Sequence, residues 1–255
     1  HRYSSAASDV YKRQLLHAFL PHKFVDHSHS NAILSLIDQP NPEKICKHVF
    51  GDEMGIVPYI MPGFELAKKA SEVFDKNPNV KGLILLNHGI FTFANNAKES
   101  YERMIKYITK AEKELTKKSK RIRVSKYDEK KISISEVSNL IRQQIANKRG
   151  DDFERKVVHF NKPKFFDELF SHPNLKKFTN EGPVTPDHVI RIKSKPLIID
   201  LSKEKSNDLE KFIIQSIESF KENYKKYFKR NHKYNYSASM LDPYPCLLYT
   251  SDAAD

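Results

Sequence analysis

An apolar run from Val80 to Phe91 constrains the fold of this chain more than any other segment. It reads VKGLILLNHGIF, with four large aliphatic residues in succession after its first glycine. A strand with one face in water alternates apolar and polar residues, whereas an unbroken apolar run indicates burial on both faces. We therefore predict one buried strand here, with His88 at its end, in a sheet that is covered on both sides.

The neighbouring segments predict the layers that cover this sheet. Residues 24–29 (FVDHSH) have the period of a strand, and residues 55–63 predict an edge or irregular strand because their prolines cannot donate to a ladder. Apolar residues at helical spacing follow in 64–74 and 97–118. Together these segments predict an α/β fold, a layered α/β/α domain around a central, mostly covered sheet.

The second of these helices carries two tyrosines on different faces. Asn95 or Asn96 can cap the start of this helix through its side-chain oxygen. From the apolar spacing along the helix we expect Tyr101 in the core and Tyr107 at the surface.

The C-terminal half has a more polar character. A charge run at 117–131 predicts an exposed connection, followed by a helix over 134–150 and a short strand at 156–160. A helical pattern at 165–178 breaks at its proline, and a long amphipathic helix is expected over roughly 208–230. We find no internal repeat and no nucleotide-binding glycine loop in the sequence.

The two ends of the chain have no helical or strand periodicity. The codons that encode residues 5–14, read on the opposite strand with a one-base shift, encode residues 246–255, so both ends resemble a sequencing-library adapter. We exclude them from the fold prediction. The expected division is 1–14 adapter-derived; 15–245 a partial domain, made of a core with the candidate site (15–117), an insertion or connection (118–163) and a C-terminal helical extension (164–245); and 246–255 adapter-derived.

The net charge of +12 comes from lysines that are interspersed with glutamates along the predicted helices. A nucleic-acid-binding protein would need a clustered basic face with aromatic residues, so we expect neither nucleic-acid nor membrane partners. A positive field does suit a phosphorylated small substrate.

Cys46 is the one cysteine between the adapter-derived ends, which fits a reducing cytoplasm. No apolar run reaches the roughly 18 residues that span a bilayer.

Three histidines form the strongest candidate site. His27 and His29 lie two residues apart on a strand and therefore on the same face, where both rings can reach one divalent ion. His88 lies where active-site groups of covered α/β sheets collect, and Gly89 beside it leaves room for a close approach. The same spacing also fits buried histidines with ordinary hydrogen-bond partners, so the spacing leaves both interpretations open.

Several stretches resemble the class II aldolase/adducin family: HSH followed by AIL, then VPYIMPGFELA, and LLNHGIFTFA leading into a helix. The segments EGPVTPDHVIRIKSKPL and MLDPYP are similar to one branch, in which a rhamnulose-1-phosphate aldolase domain is joined to a short-chain dehydrogenase domain. The resemblance runs from about Leu15 to about Pro245 and is weakest over 117–163.

This resemblance implies a zinc-dependent lyase with one Zn²⁺ per subunit, held by His27, His29 and His88. Its substrate would be a deoxy-ketose 1-phosphate, cleaved to dihydroxyacetone phosphate and lactaldehyde, and the cation would stabilise the enediolate that the cleavage leaves. The family also implies a homo-oligomer. NAD would belong only to a dehydrogenase half beyond Pro245.

The family's acid/base glutamate is expected upstream of Leu15, where this chain has Arg13 and Gln14. We therefore expect the chain to bind zinc but to cleave sugar phosphate barely or not at all. Asp26, on the opposite face from His27, is interpreted as structural or as an outer neighbour of the metal site.

Two other functions remain open from the sequence. A pentulose-phosphate epimerase would share the fold and the metal and differ in its proton-handling residues. A non-catalytic, adducin-like binding module would not need the three histidines. His188, in the segment TPDH, is expected to belong to a structural turn that Thr185 caps and Pro186 begins, with a role near the site or in a subunit contact as the alternative.

Overall fold

The computed structural model describes residues 17, 19–118, 134–149, 152–154, 156–159, 172–199, 208–232 and 239–245. The two ends interpreted as adapter-derived and most of the charge run lie outside these residues. The chain forms two compact units. The first unit ends at Arg121 and also contains Val184–Ile190, and the second contains Ile122–Pro183 and Arg191–Asp255.

A four-stranded sheet forms the centre of the first unit. Its strands are β1 (Phe24–Ser28), β2 (Met54–Val57), β3 (Gly82–Leu85) and β4 (Gly89–Ala94), in the spatial order β1-β4-β3-β2. β4 is antiparallel to both of its neighbours, and β2 runs parallel to β3 at the edge of the sheet. The predicted edge strand is confirmed, and it ends at Val57, directly before a proline.

The prediction of one continuous strand through Val80–Phe91 is wrong, because the run folds back on itself as β3 and β4. A tight turn joins them, in which the backbone N–H of His88 donates to the carbonyl of Leu85 at 3.1 Å. Asn87 takes a left-handed conformation with φ 56°, which asparagine tolerates better than most residues. The apolar residues on both sides of this turn hid it from the sequence pattern. His88 consequently lies in the turn and does not end a strand.

Helices cover both faces of the sheet, as predicted. They are α1 (Asn31–Ile37), α2 (Pro42–Phe50), α3 (Phe64–Lys76) and α4 (Ala97–Lys118). On one face α1, α2 and α4 pack against Ile84 and Ile90. On the other face α3 packs against Leu83, Leu85 and Phe91. The alternation of these residues along β3 and β4 divides the apolar run between two cores.

The two tyrosines of α4 lie opposite to their predicted positions. Tyr107 is completely buried and its ring contacts that of Phe50, whereas the side chain of Tyr101 is 60% exposed. The buried stripe of α4 passes through Ser100, Met104 and Tyr107 at spacings of four and three residues. Tyr101 is one position beyond this stripe and turns toward solvent. Asn96 does cap the helix, since its Oδ1 accepts from the backbone N–H of Glu99 at 2.8 Å.

The elements that follow α4 are α5 (Ile134–Ile145), β5 (Asn147–Arg149), β6 (Asp152–Glu154), α6 (Leu175–Asn180), α7 (Pro186–Arg191) and α8 (Leu209–His232). The second unit has its own apolar core, to which α5 contributes Ile145 and α8 contributes Leu209, Ile213 and Ile217. The long C-terminal helix is confirmed. None of the helices in the described part of the chain is long and apolar enough to cross a membrane.

Two predictions for the second unit are wrong. The helix expected to continue to Gly150 ends at Ile145, because residues 147–149 pair with 152–154 in an antiparallel hairpin. Residues 156–159 are irregular and do not form the expected strand. Residues 165–171 of the other predicted helix lie outside the described residues.

Candidate metal centre

The sheet brings His27, His29 and His88 to one edge. His27 is in β1 opposite Phe91 of β4, and His29 follows the last residue of β1. His88 immediately precedes β4, so the antiparallel pairing of β1 with β4 places it beside the other two. The centroids of the three rings lie 4.6, 5.1 and 5.2 Å apart. One ligand nitrogen from each ring can be chosen so that all three lie within 4.8 Å of one another.

Each ring of the H-x-H pair has a hydrogen-bond acceptor for its Nδ1. Nδ1 of His27 donates to the carbonyl oxygen of Ile90 at 2.9 Å. Nδ1 of His29 donates to Oδ2 of Asp187 at 2.7 Å. Carbonyl and ionised carboxylate oxygens only accept hydrogen bonds, so both rings must carry a proton on Nδ1. In a neutral imidazole this leaves a lone pair on Nε2.

The two Nε2 atoms face each other at 2.9 Å. Two lone pairs at this distance repel each other unless a cation lies between them. A shared proton would need only two nitrogens, whereas His88 brings a third nitrogen to the same point. Three imidazole nitrogens are the donor set of several catalytic zinc sites, which keep further positions open for oxygen ligands. The residues therefore fit a divalent cation of the zinc type.

Glycine at position 89 allows this close packing. A Cβ atom on Gly89 would lie 2.5 Å from the carbonyl oxygen of Ser28, 3.1 Å from Cδ2 of His29 and 3.3 Å from Cε1 of His27. The ring of His27 also stacks on Phe91 with centroids 4.0 Å apart. The missing side chain of Gly89 thus leaves room for both histidine rings, and Phe91 supports that of His27.

Two other histidines, His22 and His188, do not belong to this cluster. His22 stacks on Phe93, and burial, followed by the nearby positive charge of Arg103, lowers its pKa. His188 is exposed, and its Nδ1 forms a hydrogen bond with Oγ1 of Thr185 at the start of α7. Asp26 is paired with Thr92 and points to the opposite face of β1 from His27.

Asp187 is the one residue of this cluster that the sequence analysis did not single out. It lies 158 residues from His29 along the chain, and periodicity carries no information about such a contact. The available signal was its place beside His188 in the segment TPDH. A carboxylate in the first turn of a helix is also favoured there by the helix dipole, which makes its presence uninformative by itself.

Two protein-family models match this chain. The model described as "Class II Aldolase and Adducin N-terminal domain" matches residues 9–115, and the model described as "Aldolase class II, second domain" matches residues 133–253. All three histidines lie in the first match and Asp187 lies in the second.

A curated relative and a solved structure are also similar. The chain is 28% identical over 230 residues to a protein named "Uncharacterized oxidoreductase YuxG" from Bacillus subtilis (strain 168). That alignment covers 86% of this chain but 32% of the relative, so the chain spans about a third of its length.

The solved structure is titled "Structure of the N-terminal Class II Aldolase domain of a conserved protein from Thermoplasma acidophilum". It is 41% identical with a TM-score of 0.37, and it covers 40% of this chain and 46% of that one. The two family matches together account for most of the chain, which belongs to the class II aldolase and adducin family.

Proposed function

We propose that this chain is the metal-binding part of a lyase that cleaves a phosphorylated deoxy-ketose, such as rhamnulose 1-phosphate, to dihydroxyacetone phosphate and lactaldehyde. The observation that carries the proposal is the convergence of three imidazoles. The Nδ1 hydrogen bonds of His27 and His29 leave the Nε2 lone pairs of these two rings facing each other, and His88 lies beside them. Membership of the class II aldolase family supports it.

His27, His29 and His88 would hold a divalent cation, with zinc as the proposed ion. When bound, this cation supplies Lewis-acid stabilisation of the negative charge that carbon–carbon cleavage leaves on the ketose fragment. Three neutral donors leave the cation its full charge, and this favours oxygen ligands from the substrate. The chain's own residues fix the donors: the Ile90 carbonyl orients His27, and Phe91 and Gly89 confine its ring.

The alternative to an enzyme is an adducin-like binding module without metal chemistry. Such a module would have no need to direct three imidazole rings to one point, with centroids 5.2 Å apart or less. A pentulose-phosphate epimerase would use the same cluster. We favour the lyase on the segments TPDHVIRIKSKPL and MLDPYP, which resemble the aldolase–dehydrogenase branch.

We also propose that the full protein is longer. The match covers about a third of a relative whose printed name includes "oxidoreductase". A fused NAD-dependent dehydrogenase domain would account for that name and for the remaining length. We further propose that the full protein is a cytoplasmic homo-oligomer and that its substrate is a phosphorylated ketose. The net charge of +12 suits this anionic substrate.

The proposal is tested by metal-dependent binding of a product analogue. The probe is a hydroxamate of phosphoglycolic acid, whose two oxygens can chelate a cation as the three-carbon product would. We expect it to bind the zinc-loaded chain at least about tenfold more tightly than the metal-free chain, as measured by calorimetry. His29→Ala should abolish this difference, whereas the matched control His48→Ala, an exposed histidine of the same unit, should retain it.

Equal affinity of the hydroxamate with and without zinc would contradict the proposed lyase. Parallel titrations with pentulose phosphates and with rhamnulose 1-phosphate distinguish the epimerase from the aldolase. Metal-dependent binding that is stronger for the pentulose phosphate would replace the proposed substrate.

A further inference from the structure

Asp187 reaches the three-histidine cluster from a distant part of the sequence. Its Oδ2 accepts a hydrogen bond from Nδ1 of His29 at 2.7 Å, and the two residues are 158 positions apart. The side chain of His29 is 12% exposed and that of Asp187 is 49% exposed. The contact therefore lies at the rim of the cluster, where a charged acceptor meets an imidazole that is largely shielded from water.

The start of α7 holds Asp187 in place without help from His29. Oγ1 and the carbonyl oxygen of Thr185 accept from the backbone N–H of His188 at 3.3 and 3.1 Å, and the carbonyl also accepts from Val189. Pro186 occupies the first helical position, where its fixed φ suits the helix and its missing N–H costs nothing. Asp187 is the next residue, so a capped helix start presents its carboxylate.

The edge of the His29 ring that Asp187 contacts determines what this carboxylate can do. The two nitrogens of an imidazole point to different edges of the ring. Asp187 binds the Nδ1 edge of His29, and the Nε2 edge faces His27. A carboxylate on the Nδ1 edge cannot coordinate a cation that Nε2 binds on the other edge, but it can set the tautomer and the orientation of the ring.

His27 and His29 obtain their orientation from different sources. His27 donates to the Ile90 carbonyl of the paired strand β4 and stacks on Phe91 of the same strand, so contacts with β4 orient it. His29 follows the end of β1, and its acceptor comes from α7. The carboxylate acceptor makes a stronger hydrogen bond than a carbonyl and increases the electron-donating power of the ring.

We infer that Asp187 is a positioning residue that holds His29 in its metal-binding tautomer and orientation, and that the affinity of the three-histidine site for a divalent cation depends on it. This inference rests on the metal site of the proposed function. It also means that the segment Val184–Ile190, within the stretch matched by the second-domain family model, supplies part of a site whose ligands lie in the N-terminal match.

The test compares Asp187→Ala and Asp187→Asn with the wild-type chain and with the control Asp52→Ala, which removes an exposed aspartate of the same unit. Cobalt(II) affinity is measured by competition with a chromophoric chelator, and the histidine tautomers of the metal-free proteins are read from imidazole ¹⁵N chemical shifts. We expect Asp187→Ala to weaken cobalt binding about 10- to 100-fold and to release His29 into a mixture of tautomers. Asp187→Asn keeps a neutral acceptor and should lose less, and Asp52→Ala should stay within about twofold of wild type.

The outcomes separate this inference from the metal site itself. Cobalt affinity and a His29 tautomer in Asp187→Ala that match wild type would overturn the role of Asp187 and leave the metal site standing. Failure of the wild-type chain to bind cobalt would instead contradict the proposed function, and the tautomer of His29 would still decide whether Asp187 orients the ring. If Asp187→Ala does not fold, Asp187→Asn, which has nearly the same shape, decides the inference by the same two measurements.

Discussion

The Nε2 atoms of His27 and His29 lie 2.9 Å apart, and both rings donate through Nδ1 to other groups. This relationship has one cause in the sequence and one in the fold. Residues two apart on a strand point to the same side, and the acceptors of the two Nδ1 atoms lie on the outside of the pair. The two rings are thereby arranged as the proposed metal site requires, and single substitutions can test the contacts that arrange them.

Gly89→Ala should disturb the cluster from within. The new methyl carbon would lie 2.5 Å from a backbone oxygen of Ser28, which cannot move without shifting β1. Overpacking of this kind costs about 1–3 kcal/mol of unfolding free energy. We expect weaker zinc binding as well, because both histidine rings contact the same methyl position. Chemical denaturation and zinc titration measure the two effects.

Gly63→Ala is the matched control for this substitution. A Cβ atom on Gly63 would have no neighbour within 4 Å. Its zinc affinity should equal that of wild type. Equal zinc affinity and stability in Gly89→Ala and Gly63→Ala would show that the packing around residue 89 is looser than described.

The positions of the two α4 tyrosines give a test of the fold. Tyr107→Ala should destabilise the first unit by about 3–5 kcal/mol, because it removes a large ring from a site with no exposed area. Tyr101→Ala should change the unfolding free energy by no more than about 0.5 kcal/mol, since its side chain is 60% exposed. Thermal or denaturant unfolding compares the two, and a larger loss in Tyr101→Ala would reverse the assignment of the helix faces.

Part of this fold could be predicted from the sequence, and the errors have physical causes. The period-two pattern identified β1 and placed His27 and His29 on one side of the chain, and the prolines identified β2 as an edge strand. The turn at Asn87 was missed because apolar residues flank it, and a run of apolar residues does not show where a strand reverses. Tyr107 was misplaced because α4 carries apolar residues on neighbouring faces. A predicted stripe that is displaced by one residue is turned by about 100° around the helix and so includes Tyr101 in place of Tyr107.

The candidate site, like the fold, could be predicted from the sequence only in part. His27 and His29 could be paired from their spacing alone, since the contact is local. His88 came from its place in the apolar run, and the hairpin that carries it to the other two was not foreseen. Asp187 could not be found, because no local pattern links a residue of α7 to one beyond the end of β1.

Glu53 should make the stability of the first unit depend on pH. Its carboxylate accepts hydrogen bonds from Nζ of Lys106 at 2.7 Å and of Lys110 at 2.5 Å, which lowers the pKa of Glu53 to about 2. Because this pKa is below the ordinary value of 4.5, the stabilisation is complete above about pH 4.5 and is lost as the pH falls toward 2. The side chain is 41% exposed, so water screens the pairs and each contributes about 1 kcal/mol or less.

The variant Glu53→Gln isolates this effect. Between pH 6 and pH 3 the unfolding free energy of the wild type should fall more than that of Glu53→Gln. Equal pH dependence of the two proteins in denaturant titrations would show that the contacts of Glu53 with α4 do not stabilise the fold.

Cys46 should be unreactive in the folded protein. It is 1% exposed, and burial, followed by the negative charge of Glu43, raises the pKa of its thiol to about 12. Thiolates react with alkylating agents and thiols do not, so labelling at pH 8 requires local or global unfolding. In a Cys246→Ser background, we expect iodoacetamide to modify Cys46 only as denaturant unfolds the chain. Rapid labelling under native conditions, detected by mass spectrometry, would contradict the buried position of Cys46 in α2.

X-ray absorption at the zinc edge tests the central claim most directly, because it counts the imidazole ligands of the bound ion. We predict one zinc per chain with three imidazole nitrogens, and a loss of one imidazole in His88→Ala. Zinc bound by fewer than three imidazoles in the wild-type chain, or a spectrum that His88→Ala leaves unchanged, would contradict the three-histidine site.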